Sequence, residues 1–495
     1  MADEFVLSGD THPGGTRAIH EQAQHFVTLV WSEYGVWIVM PARRDAIEVG
    51  KNVGKPRGRD AGHDAVLYWR QRGYPGMMKW QSRVSSGRYV GRLANGVLAI
   101  VMAGGRGERL QDLTLRRCKP ATPFGGKFRI VDFVLSNCVN SGVRQIYVMT
   151  QYKAQSLIQH VQRGWNYLRG EFGEFVDVVP AQQQVGPHWY LGTADCVYQN
   201  LDLIRANRPE HVLVLAGDHI YKMDYEPMIA SHVEKGADIT VGVVEVPRMA
   251  ARGFGVLSVT EQNRVTKFTE KPAEPEPMPG HADTALASMG IYVFNPQLLE
   301  QLLVEDAQND SSAHDFGRSI IPAALGKLNV YAYPFRDVKT RAQSYWRDVG
   351  TVDAYYQANI ELIYVAPELN LYDDQWPIWT YQGQLPPAKF VLDEEGRRGM
   401  AVNSMISGGC IISGAVIDQS LLHTNVRVDE RSLVFRSVVL PDVRVGRGCT
   451  IRNAILDEGC VIPDGMQIGC DPKADAERFM VTKRGIVLVT PDMLR

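Results

Sequence analysis

Residues 97–120, VLAIVMAGGRGERLQDLTLRRCKP, run an apolar stretch into a glycine turn and then gather cationic side chains. Gly104, Gly105 and Gly107 would let backbone N–H groups close on a phosphate chain. Arg106, Arg109 and Lys119 would neutralise that chain and the charge developing on a departing pyrophosphate. Two familiar phosphate loops do not fit. A dinucleotide turn needs G-x-G-x-x-G, and Leu110 stands where the third glycine belongs. A P-loop needs Gly-Lys followed by Ser or Thr, but Lys51, Lys55, Lys127 and Lys327, each preceded by glycine, are followed by Asn, Pro, Phe and Leu.

The elements that must hold such a loop are legible as apolar runs at 97–102, 145–149, 175–179, 212–216 and 239–246, alternating with amphipathic stretches such as 195–206. Runs of this length separated by helical segments predict an α/β domain: a Rossmann-like, mostly parallel sheet with helices on both faces. The break after VLVLAGDH places Asp218 just past a strand's carboxyl end, the edge where open α/β sheets bind ligands. From about residue 400 the pattern changes. Cys410, Val416, Leu422, Val428, Val434 and Leu440 recur every six residues, and after a slip Val443, Cys449, Ile455 and Val461 resume the spacing. That period predicts a parallel β-helix whose apolar residues stack from coil to coil. Between the two, residues 366–392 are rich in Pro, Trp and Tyr and read as a packed linker. The expected domains are an N-terminal extension, 1–92, a catalytic domain, 93–365, a linker, 366–395, and the β-helix, 396–495. Residues 1–76 fit neither a helical nor a strand period.

With 495 residues, 45% apolar, 22% charged and a formal net charge of −2, the composition is that of a multidomain globular protein with no bulk basicity for nucleic acid. Seven cysteines without a CxxC pair suggest reduced thiols in a cytoplasm. The stretch 26–40 is too short and too interrupted to span a bilayer, so no membrane partner is expected.

The loop, together with GGKFRIVDFVLSNCVNSG, WYLGTADCVYQNL, LAGDHIYKMDY, FTEKP, ASMGIYVF, SSAHDFG, YWRDVGT, LPPAKF and GIVLVT, resembles the sugar nucleotidyltransferases, and among them the bacterial glucose-1-phosphate adenylyltransferases, from about residue 95 to the C-terminus. The resemblance implies a left-handed β-helix and a reaction of ATP with glucose 1-phosphate giving ADP-glucose and pyrophosphate. It implies Arg109, Lys119 and Asp218 as catalytic residues, with a divalent ion, Mg2+, on Asp218 and Asp348. It also implies Gly104, Gly105, Arg106, Gly107 and Gln151 on the nucleotide. Lys271 falls on the sugar phosphate, Glu270 on glucose hydroxyls, and Tyr190, Gly255 and Ser288 around the same ligand.

Members of this family are homotetramers regulated by anionic metabolites. The enterobacterial effector cluster is incomplete here: Arg129 and Arg495 remain and Arg116 replaces a lysine, but Pro123 replaces a histidine, and Glu458 and Pro491 replace arginines. The expectation is an anion site of altered selectivity. Two rival readings are acyl transfer, for which the β-helix offers a single histidine, His423, and a binding protein that has kept the fold without turnover.

Overall fold

The computed structural model describes residues 93–105, 107–182, 189–278, 280–337, 342–394 and 396–495, and the backbone of 28–32 and 35–39. The chain divides into two units, Met1–Trp80 and Gln81–Arg495. In the first, Thr28–Ser32 pairs antiparallel with Gly35–Val39, Ser32 opposite Gly35. The sequence reading found no strand period here because TLVWS and GVWIV are continuous β-branched and aromatic runs without polar alternation.

In the second unit, four parallel strands form the half of the sheet that carries the phosphate loop. They run in the order Phe175–Pro180, Gln145–Thr150, Val97–Met102, His211–Ala216. Val97–Met102 is buried almost throughout, as expected for a strand covered on both faces. Ala99 and Val101 join a core that contains Val134, Leu135 and Cys138 of the helix Ile130–Asn140. Leu98 and Ile100 join a second core that contains Val197, Leu201 and Ile204, from two short helices, Thr193–Tyr198 and Leu201–Asn207. An antiparallel half extends the sheet: Thr284–Phe294 pairs with His211–Ala216, Ile239–Pro247 and Gly255–Val259, and Val265–Glu270 pairs with Gly255–Val259.

The C-terminal region is a stack of parallel rungs, 16 or 17 residues apart along Ile411, Arg427, Arg444 and Val461. A strict period of six would require 18, so the expected stack drifts out of register. The residues that do stack inward are Ile412, Val428, Val445 and Ile462 on one face and Ile417, Val434, Ile451 and Ile468 on the next. Val461, predicted inside, is 61% exposed, because the coils run one or two residues short of 18 and Ile462 takes its place.

Alternate residues of the third face point out of the stack and pack on the α/β domain. Leu421, Val438, Ile455 and Leu488 share a core with Val352, Tyr355 and Tyr356 of the helix Val352–Glu361. A buried ion pair, Arg117 Nη1 to Asp457 Oδ1 at 2.9 Å, crosses the same junction. The Trp- and Tyr-rich segment before the rungs lies against the helix Ile130–Asn140: Trp379 N–H donates to Ser136 Oγ at 2.8 Å, and Thr380 Oγ1 donates to the buried Asp132 at 2.7 Å.

Candidate active site

The parallel register puts the ends of two strands side by side, Met102 opposite Ala216. Gly217 N–H donates to Met102 O at 3.0 Å, and a Cβ there would lie 3.1 Å from that same oxygen and 3.0 Å from Val101 Cγ1, so the chain turns out at Asp218 hard against the loop strand. The loop itself is braced by Thr114, whose hydroxyl donates to Gly107 O at 3.1 Å and Gln111 O at 3.0 Å. Gly107 has φ +67°, and a side chain there would press on Lys119 Cβ at 3.1 Å. Glycine is therefore what lets the loop fold back over the turn Lys119–Ala121.

The result is a compact charge cluster. Lys119 Nζ lies 2.6 Å from Asp348 Oδ1 and 3.0 Å from Asp218 Oδ2, with its side chain 5% exposed. Arg109 Nη2 reaches Asp348 Oδ2 at 3.1 Å. Burial alone would push the Lys119 ammonium down, but the two carboxylates outweigh it and hold its pKa above the ordinary lysine value. Burial likewise works against the Asp218 carboxylate, yet Lys119, His219 and Arg109 draw it well below the usual carboxylate range.

The sequence reading missed His219. Its Nε2 is 3.5 Å from Asp218 Oδ1, and Asp218, His219 and Asp348 offer ligand atoms within 4.8 Å of one another. Its position beside Asp218 in AGDH was the available signal. A carboxylate pair with an imidazole is a donor set that a hard divalent cation can use through its oxygens. Lys119 already spans those oxygens, so such a cation would share them with the ammonium.

A second group lies along the antiparallel strands. Gly255 pairs with Glu270, and a Cβ on Gly255 would meet Phe268 Cζ at 2.4 Å and Glu270 Oε2 at 2.9 Å. Lys271, at φ +47°, turns its ammonium back to Glu270 Oε1 at 3.1 Å and stays half exposed. Ser288 is buried on Thr284–Phe294, its hydroxyl 3.4 Å from Tyr292 OH. Gln151 joins the loop to Tyr190: it donates to Tyr190 O at 3.3 Å, and Gly104 comes so close that a Cβ would stand 3.1 Å from Gln151 Cβ. Arg106 lies outside the described residues.

Of the three expected effector cations, two meet. Arg116 Nη2 is 2.6 Å from Asp492 and Arg495 Nη1 is 3.4 Å from the same carboxylate. Arg129 does not share that carboxylate: its guanidinium donates to Ala121 O, and burial lowers its pKa against the opposing pull of Glu458. Glu458 contacts Arg117 Nη2 at 3.4 Å, a partner the sequence reading overlooked. His423 is fully buried, and burial pushes it down to about 3, so it presents no base for acyl transfer.

A phosphate-ready loop and a carboxylate pair at the carboxyl edge of parallel strands, backed by a rung-built C-terminal domain, define a nucleotidyltransferase architecture. The family model for nucleotidyl transferase matches residues 98–363, and that for the GlmU-like C-terminal hexapeptide matches 386–489. The glucose-1-phosphate adenylyltransferase of Nitrosococcus oceani is 60% identical over 410 residues, 83% of this chain and 97% of that protein. That of Methylococcus capsulatus is 59% identical over 414 residues, 84% and 98% of the two chains. Glucose-1-phosphate adenylyltransferase 1 of Alkalilimnicola ehrlichii is 62% identical over 408 residues, 82% and 96%. The chain belongs to the nucleotidyl transferase family, and within it to the glucose-1-phosphate adenylyltransferases. No helix among the described residues is long and apolar enough to cross a membrane.

Proposed function

We propose that the chain transfers the adenylyl group of ATP to α-D-glucose 1-phosphate, releasing pyrophosphate and giving ADP-glucose for α-glucan (glycogen) synthesis. The observation that carries the reading is the contact set in which Lys119 spans Asp218 and Asp348 with Arg109 alongside. Two phosphorylated substrates repel each other. They must be brought together amid positive charge before the sugar phosphate oxygen can attack the α-phosphorus in line, and positioning with charge neutralisation then supplies most of the acceleration.

In this reading Gly104, Gly105, Arg106, Gly107 and Gln151 cradle the triphosphate, while Arg109 and Lys119 take up charge on the leaving pyrophosphate. Glu270 accepts hydrogen bonds from glucose hydroxyls, Lys271 pairs with the sugar phosphate, and Tyr190, Gly255 and Ser288 wall the sugar. Enzymes of this family generally use a divalent metal, and magnesium is the ion proposed here, on Asp218 and Asp348. When bound it neutralises phosphate oxygens of the nucleotide.

The reading extends to a homotetramer in the cytoplasm and to the division at 93–365, 366–395 and 396–495, with 1–92 as an extension. It also extends to anionic effectors at Arg116, Arg129 and Arg495, two of which now share one carboxylate that a phosphate would displace. Pyrophosphate release from ATP, UTP, GTP and dTTP with glucose 1-phosphate tests the assignment: ATP should lead clearly, and equal or faster turnover of UTP or dTTP would overturn the adenylyl reading.

A further inference from the structure

Asn137 sits inside the helix Ile130–Asn140, fully buried, where an amide side chain does nothing for the helix itself. Three partners from two distant segments meet it. Its Oδ1 accepts from the Met223 backbone N–H at 3.1 Å and from Trp376 Nε1–H at 3.0 Å, and its Nδ2 donates to Tyr221 O at 3.1 Å. Both acceptor positions of the oxygen are used, and the two donors fix which end of the amide faces which partner.

What it grips is the backbone leading out of the site. Ile220–Tyr221 begins two residues after Asp218 and pairs antiparallel with Trp346–Arg347, the two residues directly before Asp348. Both carboxylates thus hang from one short two-stranded ribbon, and a ribbon of two residues a side is too short to hold its own geometry. Asn137 supplies the backbone partners that a third strand would otherwise give. The same helix end adds Ser141 Oγ, which accepts from Tyr225 N–H at 2.8 Å.

We propose that Asn137 is a positioning residue for the Asp218 and Asp348 pair, and that Trp376 ties this hold to the segment leading into the β-helix. Lys222 Nζ to Asp373 Oδ2, at 3.2 Å, is a second tie between the same ribbon and the same segment. The inference rests on the reading that those two carboxylates serve adenylyl transfer.

The test uses the full chain with Asn137→Ala, with Trp376→Phe, which removes the indole N–H donor and keeps a smaller aromatic ring, and with Thr380→Val. The last cuts the segment's bond to Asp132 and leaves the ribbon alone. The measurements are kcat, both Michaelis constants, and Mn2+ binding by electron paramagnetic resonance without substrates. Misplacing a reacting group by an ångström costs on the order of 100-fold, and losing an outer partner of a metal ligand costs about 10- to 100-fold in affinity. Asn137→Ala should accordingly lower kcat about 30-fold and weaken Mn2+ binding about tenfold, with the glucose 1-phosphate Michaelis constant within about threefold. Trp376→Phe should show the same pattern at about threefold, and Thr380→Val neither change. Unchanged Mn2+ binding in Asn137→Ala, or an equal loss in Thr380→Val, would overturn the proposal; if Asn137→Ala does not fold, Trp376→Phe decides it. Asp218→Asn separates the two readings. If that variant keeps normal turnover and Mn2+ binding, the role given to Asp218 fails, whereas an inactive Asp218→Asn beside a normal Asn137→Ala sinks this inference alone.

Discussion

Lys119→Met removes the ammonium that touches both carboxylates at 2.6 and 3.0 Å while keeping most of the buried stem. A charge aimed at the anion developing on the leaving group is worth about 100- to 1000-fold in kcat, or about 3–4 kcal/mol of barrier. Stability should fall as well. Breaking a buried pair costs about 3–5 kcal/mol, but Asp218 is 36% exposed, so solvent screening brings the expected loss to about 1–2 kcal/mol. The pH dependence follows from the two shifts. Asp218 has a depressed pKa, so its stabilisation is present above about pH 4 and is lost as pH falls through the folded value. Lys119 has a raised pKa, so its stabilisation is full below about pH 10 and is lost as pH rises through the folded value. The variant should therefore show a melting temperature that changes less with pH at both ends than the parent's. Pyrophosphate release at neutral pH measures the first effect, and thermal melts carried below about pH 4 and above about pH 10 measure the second. A kcat within about threefold of the parent, or parallel melting curves, would refute the electrostatic reasoning.

Lys271→Ala should raise the Michaelis constant for glucose 1-phosphate by about tenfold or more and leave that for ATP nearly unchanged, and equal weakening for both substrates would count against its placement on the sugar phosphate. In the rungs, Ile451→Ala leaves a cavity at a fully buried stacking position and should cost about 2–4 kcal/mol in denaturant melts, whereas Val461→Ala, at an outward position, should cost under about 0.5 kcal/mol. Glu458→Arg removes an anion beside Arg117 and should strengthen the response to fructose 1,6-bisphosphate in a panel with fructose 6-phosphate, pyruvate and AMP; an unchanged panel would mean that this position does not set effector choice.

The strands that carry the loop were legible because each is a local event. A strand inside a covered sheet is largely apolar, and 97–102, 145–149, 175–179, 212–216 and 239–246 each appear in the structure as a strand within one or two residues of those limits, although Phe175–Pro180 is only partly buried and Ile239–Pro247 lies in the antiparallel half. The rung register was not legible to the same degree, since three sixes and the observed sets of 16 or 17 differ by one or two residues per coil, enough to turn Val461 outward and Ile462 inward. Arg109, Lys119, Asp218 and Asp348 were nameable from motifs, but the way they meet was not. Lys119 and Asp348 are 229 residues apart, and no local period connects them.

The same limit explains why the ribbon's support went unseen. Asn137 reads as one polar residue in an apolar helix, and its contacts with Tyr221 and Trp376 span 84 and 239 residues. A buried amide with all its partners is expensive to assemble and costs most when one partner is lost, so it acts only as a complete set. If the set does hold the carboxylates, then Trp376 makes the approach to the β-helix part of the active site's support. Any change that moves this segment would then reach Asp218 and Asp348 through one indole hydrogen bond and the neighbouring Lys222–Asp373 pair.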